Sequence, residues 1–143
     1  MDVNPYATPK AEVAGQPVAD AAPALWNPGA AGSWSLLFTP IFGSYLLKRN
    51  WESIGDDDKA RGSRNWMLLS ILMLFPSVIT GIGLIYLIVW YFAANRPQMQ
   101  YVKERWGTDY PRQPWGKPLS IAAVLWIIPT GLILFFVLSA LPR

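Results

Sequence analysis

Carboxylates are the first candidates in this chain for acid–base chemistry. None of its 143 residues is histidine or cysteine. That removes imidazole bases, Ser-His triads, thiol nucleophiles, disulfides and most zinc or haem ligation. Beyond the N-terminal segment the carboxylates are Glu52, Asp56, Asp57, Asp58, Glu104 and Asp109. No pair of them has a spacing that dictates an acid–base geometry. Calcium loops place their ligands at alternate positions around a glycine, and three adjacent aspartates do not match that pattern. Asp56 or Asp57 is read instead as a helix cap after Gly55. Gly81-Ile82-Gly83 lies inside apolar sequence and lacks the flanks of a phosphate-cradling loop. The chain is therefore read as a non-enzyme with no catalytic residue, metal or cofactor.

The elements that would position these residues are set by where charge is missing. The chain is 52% hydrophobic and only 15% charged, against roughly 25% charged in ordinary soluble domains. Charged residues are absent from Ala21 to Leu47, from Asn65 to Asn95 and from Pro118 to Pro142, gaps of 27, 31 and 25 residues. A helix crossing the hydrocarbon core needs about 20 mostly apolar residues. The expected fold is all-α: an integral membrane protein with three to four transmembrane or re-entrant helices, the middle pair a short hairpin. Residues 1–32, rich in proline and alanine, are read as a flexible tail, and 33–143 as the membrane-embedded helical domain. The N-terminus lacks the basic start and apolar run of a secretory signal.

Ser33 to Leu47 is read as the first span, with Pro40 and Gly43 as kinks and Gly55 as the stop of its extension. A re-entrant element is the alternative. Trp34 and Trp51 would lie near opposite interfaces. Trp66 to Ala94 is overlong for one crossing, and Pro76, Gly81 and Gly83 interrupt it, so a fold-back at those residues is predicted. The basic residues favour that choice. Five occupy the loop before the gap and five the loop after it, and a hairpin gathers ten of the twelve Lys and Arg on one face. By the positive-inside rule that face is cytoplasmic. The expected location is the cell inner membrane, multi-pass, with loops 48–64 and 95–117 cytoplasmic and both termini pointing away. Leu119 to Leu141 is the last span, with Pro118 in its first turn and a possible kink at Pro129-Thr130-Gly131.

In the second loop, Asn95 is read as a cap, Pro97 as first-turn proline and Gly107 as the stop of a short amphipathic helix. Met99, Val102 and Trp106 share one of its faces. Arg96, Lys103, Arg105, Trp106, Tyr110, Arg112 and Trp115 are the expected contacts with a protein partner or with the membrane surface, anionic lipids included. The high isoelectric point comes from the same residues that orient the chain in a membrane, so no nucleic-acid partner is expected. Gly43 and Ser44, Gly81 and Gly83, and Thr130 and Gly131 leave a homo-oligomer open.

Asn4-Pro5-Tyr6 with Pro9 is similar to the openings of many small proteobacterial membrane proteins. Leu25-Trp26-Asn27-Pro28, Arg49-Asn50-Trp51, Arg96-Pro97-Gln98, Tyr101-Val102-Lys103-Glu104-Arg105-Trp106-Gly107-Thr108-Asp109-Tyr110-Pro111-Arg112 and Trp115-Gly116-Lys117-Pro118 resemble an uncharacterised family of bacterial inner-membrane proteins. The resemblance implies a location and a middle hairpin, and no activity. The expected function is a non-enzymatic membrane protein whose basic and aromatic cytoplasmic loops engage a partner protein or the membrane surface. The alternatives are a small oligomeric channel or permease, and a membrane protein that protects against a toxin.

Overall fold

Helix-breaking residues divide the apolar sequence into hairpins. The computed structural model describes residues 21–140, and over them the chain is all-helical. The elements are α1 (Pro28–Ile54), α2 (Asp57–Leu72), α3 (Leu74–Thr80), α4 (Gly83–Trp90), a π-helical turn (Tyr91–Asn95), α5 (Arg96–Trp106) and α6 (Gly116–Ala140). Residues 1–20 of the expected tail (1–32) lie outside the described residues. Helix begins earlier than the expected boundary at 32. Pro28 supplies the first turn, and the Asn27 side chain accepts hydrogen bonds from the amides of Gly29 and Ala30.

Helix α1 is not one straight helix but folds back on itself as a hairpin. Phe38 and Thr39 leave the helical basin just before Pro40. A residue preceding proline is kept out of the α region, and proline donates no backbone bond. Residues 28–37 therefore form one arm of about 15 Å and 40–54 a second of about 22 Å. The arms lie side by side. The Trp26 amide donates to Asn50 Oδ1 at 2.9 Å, and Asn50 Nδ2 returns a bond to the Trp26 carbonyl at 2.8 Å. A straight helix would separate Pro28 from Asn50 by about 33 Å. Gly55, at φ 85°, ends the second arm with its amide bonded back to Glu52.

Thr39, at φ 67° and ψ 162°, occupies a backbone region that is essentially glycine's. Thr39→Gly is expected to raise stability by about 1 kcal/mol, after allowance for the freer unfolded glycine chain. The unfolding midpoint of the full-length protein in mild detergent checks this, and a fall would count against the geometry of this turn.

The second hairpin confirms the predicted fold-back. Asp56 caps α2 by accepting from the Lys59 amide at 3.0 Å. Helix α2 then climbs from the charged end through α3 to Gly81, which turns the chain at φ 71°. Helix α4 descends beside α2. The Ser70 and Tyr86 hydroxyls are 2.8 Å apart, and the Trp66 and Tyr86 rings lie 6.4 Å apart. In one continuous helix Trp66 and Tyr86 would be about 30 Å apart. Pro76 is the third residue of the seven-residue α3, after the Met73 junction, and Gly83 opens α4.

Two further expectations are corrected. Asn95 is no cap: it is helical, makes no capping bond, and is fully buried within the continuous run from α4 through the π turn to α5. The described residues before α1 do not point away from the charged loops. The Leu25 amide donates to the Pro111 carbonyl and its own carbonyl accepts from the Gln113 amide, both at 2.9 Å. Residues 25 and 26 therefore lie at the same end of the molecule as both loops. From that end α6 departs, in contact mainly with α1. Among the described residues no helix is long and apolar enough to cross a membrane. The predicted last span, Leu119 to Leu141, lies partly outside the described residues.

Candidate functional site

The charged end is assembled on a small buried polar layer. Asn50 and Gln98 are fully buried. Asn50 Nδ2 donates to Gln98 Oε1 at 3.0 Å as well as to Trp26, and Gln98 Nε2 donates to the Leu47 carbonyl at 2.8 Å. The two amides thereby join the tail segment, the second arm of α1, and α5. One level further from the charged end, the buried Trp90 indole donates to Ser44 Oγ at 2.7 Å. Gly43 leaves the space for that ring, since a Cβ there would collide with Ser35 and Trp90. Gly32 similarly admits Asn95, whose amide Nδ2 would lie 2.6 Å from a Cβ there. Gly43 and Ser44 thus serve packing within the chain, and Gly43 is not a kink.

Aromatic side chains bind the two loops together on this layer. The Trp51 and Tyr101 ring centroids are 5.0 Å apart, and Tyr101 meets Trp106 at 6.0 Å. The Lys59 ammonium sits 4.6 Å from the Trp51 centroid and 4.7 Å from that of Tyr101, with Asp56 Oδ2 at 2.8 Å. A cation over two ring faces and beside a carboxylate is well satisfied. Trp51 is consequently buried in this clamp and is not an interface anchor opposite Trp34. Hydrogen bonds from the Lys59 side chain and amide hold the Asp56 carboxyl below the usual range, and the Lys48 ammonium foremost does the same for Glu52.

Charge is balanced on the first loop and unbalanced on the second. Lys48 and Arg49 pair with Glu52, Lys59 with Asp56, and Arg61 with Asp58. Among the described residues no carboxylate pairs with Arg96, Lys103 or Arg112. Arg96 lies over the exposed Phe92 ring at 5.5 Å, Arg105 over Trp106 at 5.4 Å, and Arg112 over Tyr110 at 5.8 Å. Arg105 also donates to the Tyr101 hydroxyl at 3.4 Å. Burial pushes the Tyr110 phenol up, against the opposing pull of Arg112. Trp115 is half-buried, and the carbonyl of its neighbour Pro114 accepts from the Trp26 indole at 3.2 Å.

Two open clefts flank this face. One, of about 580 Å³, is lined by Asp56, Asp57, Asp58, Arg61, Tyr101 and Arg105. The other, of about 140 Å³, lies between Asn27, Pro28, Met99, Lys103, Tyr110 and Arg112. Among the described residues no group of His, Cys, Asp or Glu could hold a metal ion. The seven residues singled out from sequence thus fall at one end of the molecule, although Arg96 lies over Phe92 and away from the Trp51–Tyr101–Trp106 cluster. Sequence reasoning missed Asn50, Gln98 and Lys59. For the first two, the available signal was an uncharged amide standing in a helical run where the packing face demanded an apolar residue. No protein-family model, no curated protein and no solved structure matches this chain.

Proposed function

We propose that this is a non-enzymatic membrane-embedded protein that rests its basic, aromatic end on the inner membrane surface and there engages anionic lipid and a partner protein. The observation that carries this reading is the separation of two surfaces. Away from the charged end the helices expose large apolar side chains on every element, among them Leu36 and Leu37 on α1, Leu72 on α2, Leu84 and Ile85 on α4, and Leu125 on α6. Leu36, Leu72 and Leu125 each keep more than three-fifths of their surface bare. Contiguous apolar surface on that scale marks a lipid or protein interface. In the 25 residues of α6 the sole charge is Lys117, at its start.

In this arrangement α1 is a re-entrant hairpin, α2 to α5 a deeper hairpin returning to the same side, and α6 a helix that leaves the charged end into the apolar layer. Tail and both loops then share the cytoplasmic side. Backbone bonding within each hairpin satisfies the groups that hydrocarbon would otherwise leave bare.

Because the chain contains no cysteine, single cysteines report topology cleanly. In intact inner-membrane vesicles of each orientation, Ala24→Cys, Ser53→Cys and Thr108→Cys should react with an impermeant maleimide from the cytoplasmic side only. Thr80→Cys should not react from that side. Release of the intact chain by alkaline carbonate would overturn the reading, as would Ala24→Cys reacting solely from the opposite side.

A further inference from the structure

The unbalanced cations of the second loop continue into an apolar stripe. Ile85, Ile88 and Phe92 recur at +3 and +4 on the descending helix, and all three are exposed. Arg96 stacks on Phe92, which carries the same face across the π turn into α5. From Arg96 the helical spacing runs to Met99 and Lys103. Met99 and Lys103 line the 140 Å³ cleft, and Arg112 enters it from the following segment. No carboxylate lines that cleft; Glu104 and Asp109 lie outside it. The surface is thus a polar, doubly cationic seat with an apolar track leading away from it over about 27 Å, the rise from Lys103 back to Ile85.

We infer that Lys103 and Arg112 hold the phosphate of an anionic phospholipid whose acyl chains lie along Phe92, Ile88 and Ile85. Several features of the chain favour a lipid over a free anion. A free phosphate would need only the two cations, and the exposed apolar stripe would have no occupant. A zwitterionic lipid carries its own cation into a seat that already has two. Arg112 offers paired donors to a phosphate oxygen pair, and the Lys103 ammonium adds a point charge. The Tyr110 ring under the Arg112 guanidinium restricts its orientation. The first loop offers no second such seat, because four of its five cations are paired with their own carboxylates.

This assignment rests on the membrane reading above, and the test separates the two. The full-length protein in mild detergent is titrated with phosphatidylglycerol, and bound lipid is counted by native mass spectrometry. Lys103→Gln with Arg112→Gln should weaken the tightest bound lipid by about tenfold or more, the loss of two charge-assisted contacts. Arg61→Gln with Arg64→Gln removes the same net charge from the first loop and should leave that lipid in place. Phosphatidylcholine should not compete, and inorganic phosphate should compete only weakly. Equal loss in both double variants would reduce the site to diffuse basic attraction and overturn the inference. Full displacement by inorganic phosphate would make it a small-anion site and would also overturn it. A chain released from membranes by carbonate fails the membrane reading by itself, whatever the titration shows.

Discussion

Replacing Asn50 by leucine should be the most damaging single change at the charged end, lowering stability by about 3 kcal/mol or more. The substitution keeps the branching and heavy-atom count of the side chain and removes its polar atoms. It leaves the Trp26 amide, the Trp26 carbonyl and the Gln98 side-chain oxygen without their partners, at 2.9, 2.8 and 3.0 Å respectively. Each buried polar group left unpaired costs about 1–3 kcal/mol. Full burial of Asn50 and Gln98 keeps water from substituting. The local consequence should exceed the global one: residues 25 and 26 should lose amide-exchange protection before the helices do. Gln98→Ala should overlap with this loss, so the double variant should be less destabilised than the sum of the singles. A cost under about 1 kcal/mol, or unchanged protection at Trp26, would mean that these amides do not hold the tail to the loops.

The same pair of residues shows what the sequence could and could not disclose. Proline and glycine announce turns by local sterics, so the reversal at Gly81 and the stops at Gly55 and Gly107 were legible, with all three glycines at positive φ. The cap at Asp56 was legible for the same reason, since it depends on residues three apart. Pro40 marks a kink in the sequence, but nothing local decides between a kinked span and a reversal there. Whether a proline kinks a helix or ends it depends on what each half packs against, and that was set by Asn50 reaching Trp26 across 24 residues. No periodicity in either segment records such a pairing.

Asn95 illustrates the opposite difficulty. Asparagine before an Arg-Pro step has the chemistry of a cap, and local rules read it so. The π turn inserts extra backbone into Tyr91–Asn95 and turns that side chain into the interior, against Gly32. Such a turn is a tertiary accommodation without a local sequence mark. The candidate surface fared better because basic and aromatic side chains dense in one loop remain together wherever the loop is placed. What could not be read was which cations are neutralised. The first loop's pairs are i,i+3 and i,i+4 contacts along its helices. The second loop brings Lys103 and Arg112 to one cleft instead.

Gly43→Ala is expected to cost about 2–3 kcal/mol, although a glycine-to-alanine change within a helix ordinarily stabilises by about 1 kcal/mol. The added Cβ would meet Ser35 Oγ and the Trp90 ring closer than side chains approach in folded proteins. The ring cannot retreat freely, because its indole nitrogen is bonded to Ser44 Oγ at 2.7 Å and the residue is fully buried. Ser35 is fixed as well, donating to the Ala31 carbonyl at 2.8 Å. The strain therefore falls on the approach between the two arms of α1, and between that hairpin and α4. Gly62→Ala is the internal standard: it lies in α2 with open space around the new methyl, and should raise stability slightly. Unfolding midpoints of both variants in one detergent decide the matter. If Gly43→Ala were as benign as Gly62→Ala, the arms of α1 would not be in contact.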